Sequence, residues 1–179
     1  TGGRNVMQTT ARHGMRLSTL LAGLMETPLV HDPEISGITL DSRTVQHGWL
    51  FIAVPGARTD GRAYIAGAYS RGAAAAVYEV NGFETDARSA NAIGVHALRQ
   101  HIGAIADRFY GAPSRKLKVV GVTGTNGKTT TTHLLAQVLD RPEARCGLIG
   151  TLGSGFPGQL DPSLHTTPDA VSVHRLMAE

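Results

Sequence analysis

At 179 residues, with 41% apolar, 17% charged and 5% aromatic positions, the chain can bury one or two modest cores and does not have the composition of a disordered protein. Seventeen basic and fourteen acidic side chains leave a formal net charge of +3 without a basic tail. No apolar stretch approaches the roughly 20 residues that span a bilayer, and the single Cys146 excludes an internal disulfide, so a protein of the cytoplasm is expected.

Residues 1–14 lack apolar periodicity and a secretory core, and read as an extension ahead of a start at Met15. Leu17, Leu20, Leu21 and Leu24 then recur at helical spacing, with Ser18 as the candidate cap. Strands are predicted over 38–40 and 49–54, the second bounded by Gly48 and by Pro55-Gly56, with Trp49 and Phe51 as core. A helix over 63–71 closed by Gly72 and a buried strand over 74–79 complete an α/β alternation spanning 15–100.

A second block, 101–179, begins within a helix whose face carries Leu98, Ile102, Ile105 and Phe109 and which ends before Gly111 and Pro113. A strand over 117–122 runs into Gly124-Thr125-Asn126-Gly127-Lys128-Thr129-Thr130, and helical spacing continues over 131–139. Cys146 to Ile149 reads as a further short strand, with Cys146 as a small core residue. Thr167-Pro168-Asp169 reads as a helix start with a hydroxyl cap. No stop signal precedes Glu179, so the chain is expected to be cut inside a larger protein, leaving an α/β domain with a mainly parallel sheet incomplete.

Strand, glycine loop and helix together form the context in which backbone amides and a helix N-terminus hold a polyphosphate. Gly124 and Gly127 leave room for that approach, Lys128 would reach the β and γ phosphates, and the Thr129 hydroxyl would ligate Mg²⁺. The strict G-x-x-x-x-G-K-[ST] pattern would require a glycine at Val122, so the loop is a variant, with Gly121 and Gly124 instead.

Residues 124–130 resemble the ATP loop of the Mur ligases, which extend the peptide of peptidoglycan precursors, and also that of folylpolyglutamate and cyanophycin synthetases. Leu40-Asp41-Ser42-Arg43-Thr44-Val45, Gly48 to Ala53, Gly56, Asp60-Gly61-Arg62, Tyr64-Ile65 and Thr166 to Asp169 are similar to the Mur ligases specifically. The resemblance implies a small uridine-nucleotide domain followed by a P-loop ATPase domain. It implies a ligase using ATP and Mg²⁺ to join a diamino acid, diaminopimelate ahead of lysine, to a UDP-N-acetylmuramoyl dipeptide through an acyl phosphate. It further implies substrate contacts at Leu40, Ser42, Ala57, Arg58, Thr59, Thr166 and Thr167, with Lys128 as the catalytic cation. The carbamoylated lysine, later metal ligands and amino-acid domain of such enzymes would lie beyond Glu179.

Each of these residues also has a plainer use. Ser42 can close a turn with Asp41, Arg58 and Arg62 can be solvated charges, Thr167 can be a cap, and His133 can be packing or surface. A noncatalytic module that recruits RNA through its basic balance is disfavoured, because no basic stripe with interleaved aromatics is present.

Overall fold

The computed structural model describes residues 14–25, 28–57, 59–82, 92–162 and 168–179. The chain divides into two units, Thr1–Ile105 and Ala106–Glu179.

In the first unit, β1 (Met15–Arg16) leads directly into α1 (Leu17–Leu20) and pairs antiparallel with β2 (Glu34–Ile35). The expected Ser18 cap is replaced by a tertiary one: Asp32 accepts hydrogen bonds from the Ser18 amide at 2.8 Å and from its hydroxyl at 2.7 Å. Those bonds, the amide's foremost, hold the Asp32 carboxyl below the usual carboxylate range.

Next come β3 (Gly37–Thr39), β4 (Trp49–Ala53), α2 (Ile65–Ser70), β5 (Ala75–Glu79) and β6 (Ile93–Val95). The strands form one sheet in the order β3-β4-β5-β6, every neighbouring pair parallel. Parallel strands are covered on both faces, and Leu50, Phe51, Ile52 and Ala53 are accordingly all fully buried. Phe51 and Ala53 pack with Ile65 and Ala68 of α2, while the intervening Leu50 and Ile52 face the opposite side. The first turn of the helix predicted from residue 63 is a 3₁₀ turn over Gly61–Tyr64, entered through the Asp60 side chain.

Trp49 is half-buried rather than core, because its ring lies across Gly37, its partner in the β3–β4 register. A Cβ on Gly37 would stand 2.4 Å from Trp49 Cε2. Gly37→Ala is therefore expected to destabilise the first unit by about 2 kcal/mol through overpacking. Urea denaturation followed by fluorescence of the single tryptophan reads this directly, and an unchanged midpoint would contradict it.

The helix carrying Leu98, Ile102, Ile105 and Phe109 is α3 (Leu98–Phe109), and the division between units falls within it. The second unit continues with α4 (Pro113–Lys116), α5 (Lys128–Leu139), β7 (Leu148–Gly150), β8 (Gly153–Phe156), β9 (Gln159–Asp161) and α6 (Ala170–Ala178). Here β7, β8 and β9 form an antiparallel meander. The connections between them are too short for the crossover of a dozen or more residues that parallel pairing needs. Residues 117–122 join no ladder, since no strand among the described residues lies beside them, and Val119 and Val120 are 62% and 68% exposed. Cys146 precedes β7 and is half-buried, its amide donating to Asp140 Oδ1 at 2.8 Å. α6 starts later than predicted: Asp169 is its cap, accepting from the Ser172 amide at 3.0 Å, and Thr167 lies outside the described residues.

Candidate functional site

Parallel pairing makes the loops after β3 and β4 leave the same edge of the sheet, the carboxyl edge where ligands of α/β sheets bind. Leu40 and Ser42, both partly buried, follow β3, while Ala57 and Thr59, both exposed, follow β4. Arg58, Thr166 and Thr167 lie outside the described residues. In the first loop the turn is closed by Asp41, not Ser42. Asp41 Oδ1 accepts from the Arg43 amide at 2.9 Å, and both carboxylate oxygens chelate the Arg43 guanidinium. Ser42 is thereby left with a hydroxyl that bonds no described residue. In the second loop the Gly56 amide donates to the Thr59 carbonyl at 2.8 Å, and the Arg99 guanidinium of α3 donates to the Pro55 carbonyl.

Arg62, a candidate surface charge by sequence, is only 7% exposed. Its Nε and Nη2 grip both oxygens of Asp60 at 2.7–3.0 Å, and its Nη1 donates to the carbonyls of Glu79 at 3.0 Å and Asn81 at 2.9 Å. It thus stitches the loop after β4 to the end of β5. These hydrogen bonds from the guanidinium hold the Asp60 carboxyl below the usual carboxylate range.

In the second unit the glycine loop has the backbone that its sequence demands. Gly124 and Gly127 have φ of +152° and +76°, values an L side chain adopts only with strain. A Cβ on Gly127 would meet nothing within 4 Å, so the requirement there is conformational and not one of space. Gly127 is the N-cap of α5, and no side chain caps that helix. The first intrahelical bond runs from the Thr131 amide to the Gly127 carbonyl at 2.9 Å. The amides of Lys128, Thr129 and Thr130 therefore point out of the helix end with no acceptor among the described residues. The Lys128 ammonium arches back over the same loop, donating to the Gly124 carbonyl and lying 3.5 Å from that of Thr125. Free amides, the positive end of a helix and an exposed ammonium suit a polyphosphate, and an adjacent hydroxyl suits a hard divalent cation.

That helix end opens on a cavity of about 300 Å³ whose lining includes Lys128, Thr129, Thr132, His133, Thr151 and Val173. A cavity at the small end of the roughly 300–1,000 Å³ range of ligand pockets takes a phosphate tail and a cation. A larger cavity of about 790 Å³ in the first unit, walled by Leu17, Tyr69, Ile93 and His101 among others, contains no predicted site residue. Sequence reading missed Thr151, whose Oγ1 is 3.2 Å from Thr129 Oγ1. The only local signal for it was a hydroxyl in a turn between Gly150 and Gly153. His133, left as packing or surface, lines the cavity one helical turn beyond Thr129.

Residues 122–179 match the family described as Mur ligase middle domain, and residues 34–110 match Mur ligase family, catalytic domain. The chain is 52% identical over 149 residues, 83% of its length, to UDP-N-acetylmuramoyl-L-alanyl-D-glutamate--2,6-diaminopimelate ligase of Pseudomonas syringae pv. tomato, covering 31% of that protein. It is 46% identical over 173 residues, 92% of its length, to the protein of the same name from Alkalilimnicola ehrlichii, covering 35% of it. A solved structure of a ligase with that name matches 92% of this chain and 33% of its own, with a TM-score of 0.70 and 27% identity. The chain thus spans about a third of the length of the relatives it matches.

Proposed function

This chain belongs to the Mur ligase family, and from that premise we propose that the protein joins meso-diaminopimelate to UDP-N-acetylmuramoyl-L-alanyl-D-glutamate at the expense of ATP. A carboxylate resists attack because oxide is a poor leaving group. Transfer of the γ phosphoryl group to a carboxylate oxygen makes an acyl phosphate and ADP. The amine then forms the C–N bond, phosphate departs with the C–O electron pair, and the ammonium proton is lost. Negative charge moves throughout, so positioned cations and amides carry most of the catalysis.

The observation that carries this reading is the uncapped start of α5, where the amides of Lys128, Thr129 and Thr130 have no acceptor among the described residues. There the backbone of 124–130 would hold the β and γ phosphates, with Lys128 moving from the loop carbonyls to a phosphate oxygen. Thr129 Oγ1 would ligate Mg²⁺, which neutralises phosphate charge when bound. From the first unit, Leu40, Ser42, Ala57, Arg58 and Thr59 would contact the uridine nucleotide; from the second, Thr166 and Thr167 would contact the sugar-peptide part. The Ser42 hydroxyl supports this, being a donor and acceptor with no partner among the described residues. Among the described residues no helix is long and apolar enough to cross a membrane; a reaction that consumes ATP and a nucleotide precursor would take place in the cytoplasm, where both are made.

The test is ADP release by the intact protein with ATP, Mg²⁺ and the UDP-N-acetylmuramoyl dipeptide, with diaminopimelate or lysine as amine. Release that requires both dipeptide and diaminopimelate, with a product heavier by one diaminopimelate residue, is expected. Release driven by a folate and glutamate instead would overturn the substrate assignment.

A further inference from the structure

Among the described residues, the Thr129 hydroxyl meets one side chain outside its own helix: Thr151, oxygen to oxygen at 3.2 Å. Thr151 occupies the turn between β7 and β8, where Gly150 pairs with Gly153. Because β8 is laddered to β7 on one side and to β9 on the other, the position of that turn is set by backbone hydrogen bonds. Both hydroxyls line the 300 Å³ cavity. The neighbouring Thr132 hydroxyl does not compete for Thr129 Oγ1, since it donates to the Thr129 carbonyl at 2.9 Å.

A hydroxyl that gives a lone pair to a divalent cation keeps its proton, and the cation makes that proton a stronger donor. It then needs an acceptor on the side away from the metal, or its rotor is free to turn the lone pair elsewhere. Resting on the reading of Thr129 as the Mg²⁺ ligand, we propose that Thr151 is a positioning residue. Its Oγ1 accepts the Thr129 proton and so fixes the Thr129 lone pair toward Mg²⁺ bound with the polyphosphate. Thr151 touches neither nucleotide nor metal in this account and acts only through Thr129.

The test is isothermal titration of the intact protein with ATP, once in excess EDTA and once in saturating Mg²⁺. The ratio of the two Kd values is the metal increment, a quantity that a purely structural role would leave unchanged. Thr151→Val keeps the shape and removes the acceptor. It is expected to leave the EDTA value within about twofold and to shrink the increment on the order of fivefold, the worth of one hydrogen bond. Thr151→Ser, which keeps the hydroxyl, is expected to restore it, and Thr151→Ala serves in place of the valine variant if that one does not fold. A wild-type increment in the valine variant, an equal loss in both titrations, or failure of serine to restore the increment would each overturn the proposal. Absence of ATP binding by the wild-type protein would instead bring down the nucleotide reading itself, and this proposal with it.

Discussion

Lys128→Ala in the intact protein is expected to abolish measurable ATP binding, with Kd rising on the order of a hundredfold and turnover lost. The ammonium is exposed and, among the described residues, bonded only to carbonyls of its own loop, so its removal is expected to leave the fold alone. Exposed positions without structural partners change stability by about 0.5 kcal/mol or less. A hydrogen bond between an ammonium and a phosphate oxygen contributes about 1.5–3 kcal/mol, the upper end of which is the stated hundredfold. Lys128→Arg should not rescue, because a planar fork cannot replace a compact charge beneath two phosphates. Titration with ATP and a melting curve decide the matter together. An unchanged Kd sinks the loop assignment, and a lowered melting temperature would mean that Lys128 is structural.

Arg62→Ala is expected to destabilise the first unit by about 1.5–3 kcal/mol, because the buried guanidinium's hydrogen bonds to the half-exposed Asp60 carboxylate and to two carbonyls are lost together. Its guanidinium is 7% exposed and serves Asp60 together with the carbonyls of Glu79 and Asn81, all of which lose their donor at once. Arg62→Lys should recover little of this, since one ammonium cannot reach a carboxylate fork and two carbonyls together. The pair also shapes the acid limb. The Asp60 carboxyl titrates lower in the folded protein than in the unfolded one. Its contribution is therefore present above the unfolded value, about 3.9, and is lost as pH falls through the lowered folded value. Denaturant midpoints measured from pH 7 to pH 3 should fall for the parent protein and fall less steeply for Arg62→Ala. Equal stabilities at pH 7 would refute the structural role given to Arg62.

What the sequence disclosed follows the range of the forces involved. The burial of 50–53 and the amphipathic face of α3 are properties of contiguous residues, so runs and spacings reveal them. The glycine loop is likewise local, because its positive-φ backbone and bare helix start involve a few successive residues. The Ser18 amide, by contrast, is satisfied by Asp32, and the Arg62 guanidinium by carbonyls at Glu79 and Asn81. No local pattern announces an acceptor that far along the chain. The strands β6, β8 and β9 escaped for a related reason: Ile93-Gly94-Val95 and Gly153-Ser154-Gly155-Phe156 have little intrinsic preference and become strands only through their ladders. The reverse failure occurs at 117–122, where a strong β composition joins no ladder among the described residues. Thr151 was invisible because its significance depends on a residue 22 positions away.

The bare start of α5 carries a thermodynamic consequence. Helix starts favour a serine, threonine, asparagine or aspartate cap, and the glycine that stands there instead costs roughly a few tenths of a kcal/mol. An anion bound in the loop, as proposed, would complete the helix, so occupancy and folding would be linked equilibria. At a hundred times its dissociation constant such an anion adds about 2.7 kcal/mol to the folded state. A resident cap would have made the protein sturdier when empty, and it would also have competed with the phosphates for the same amides.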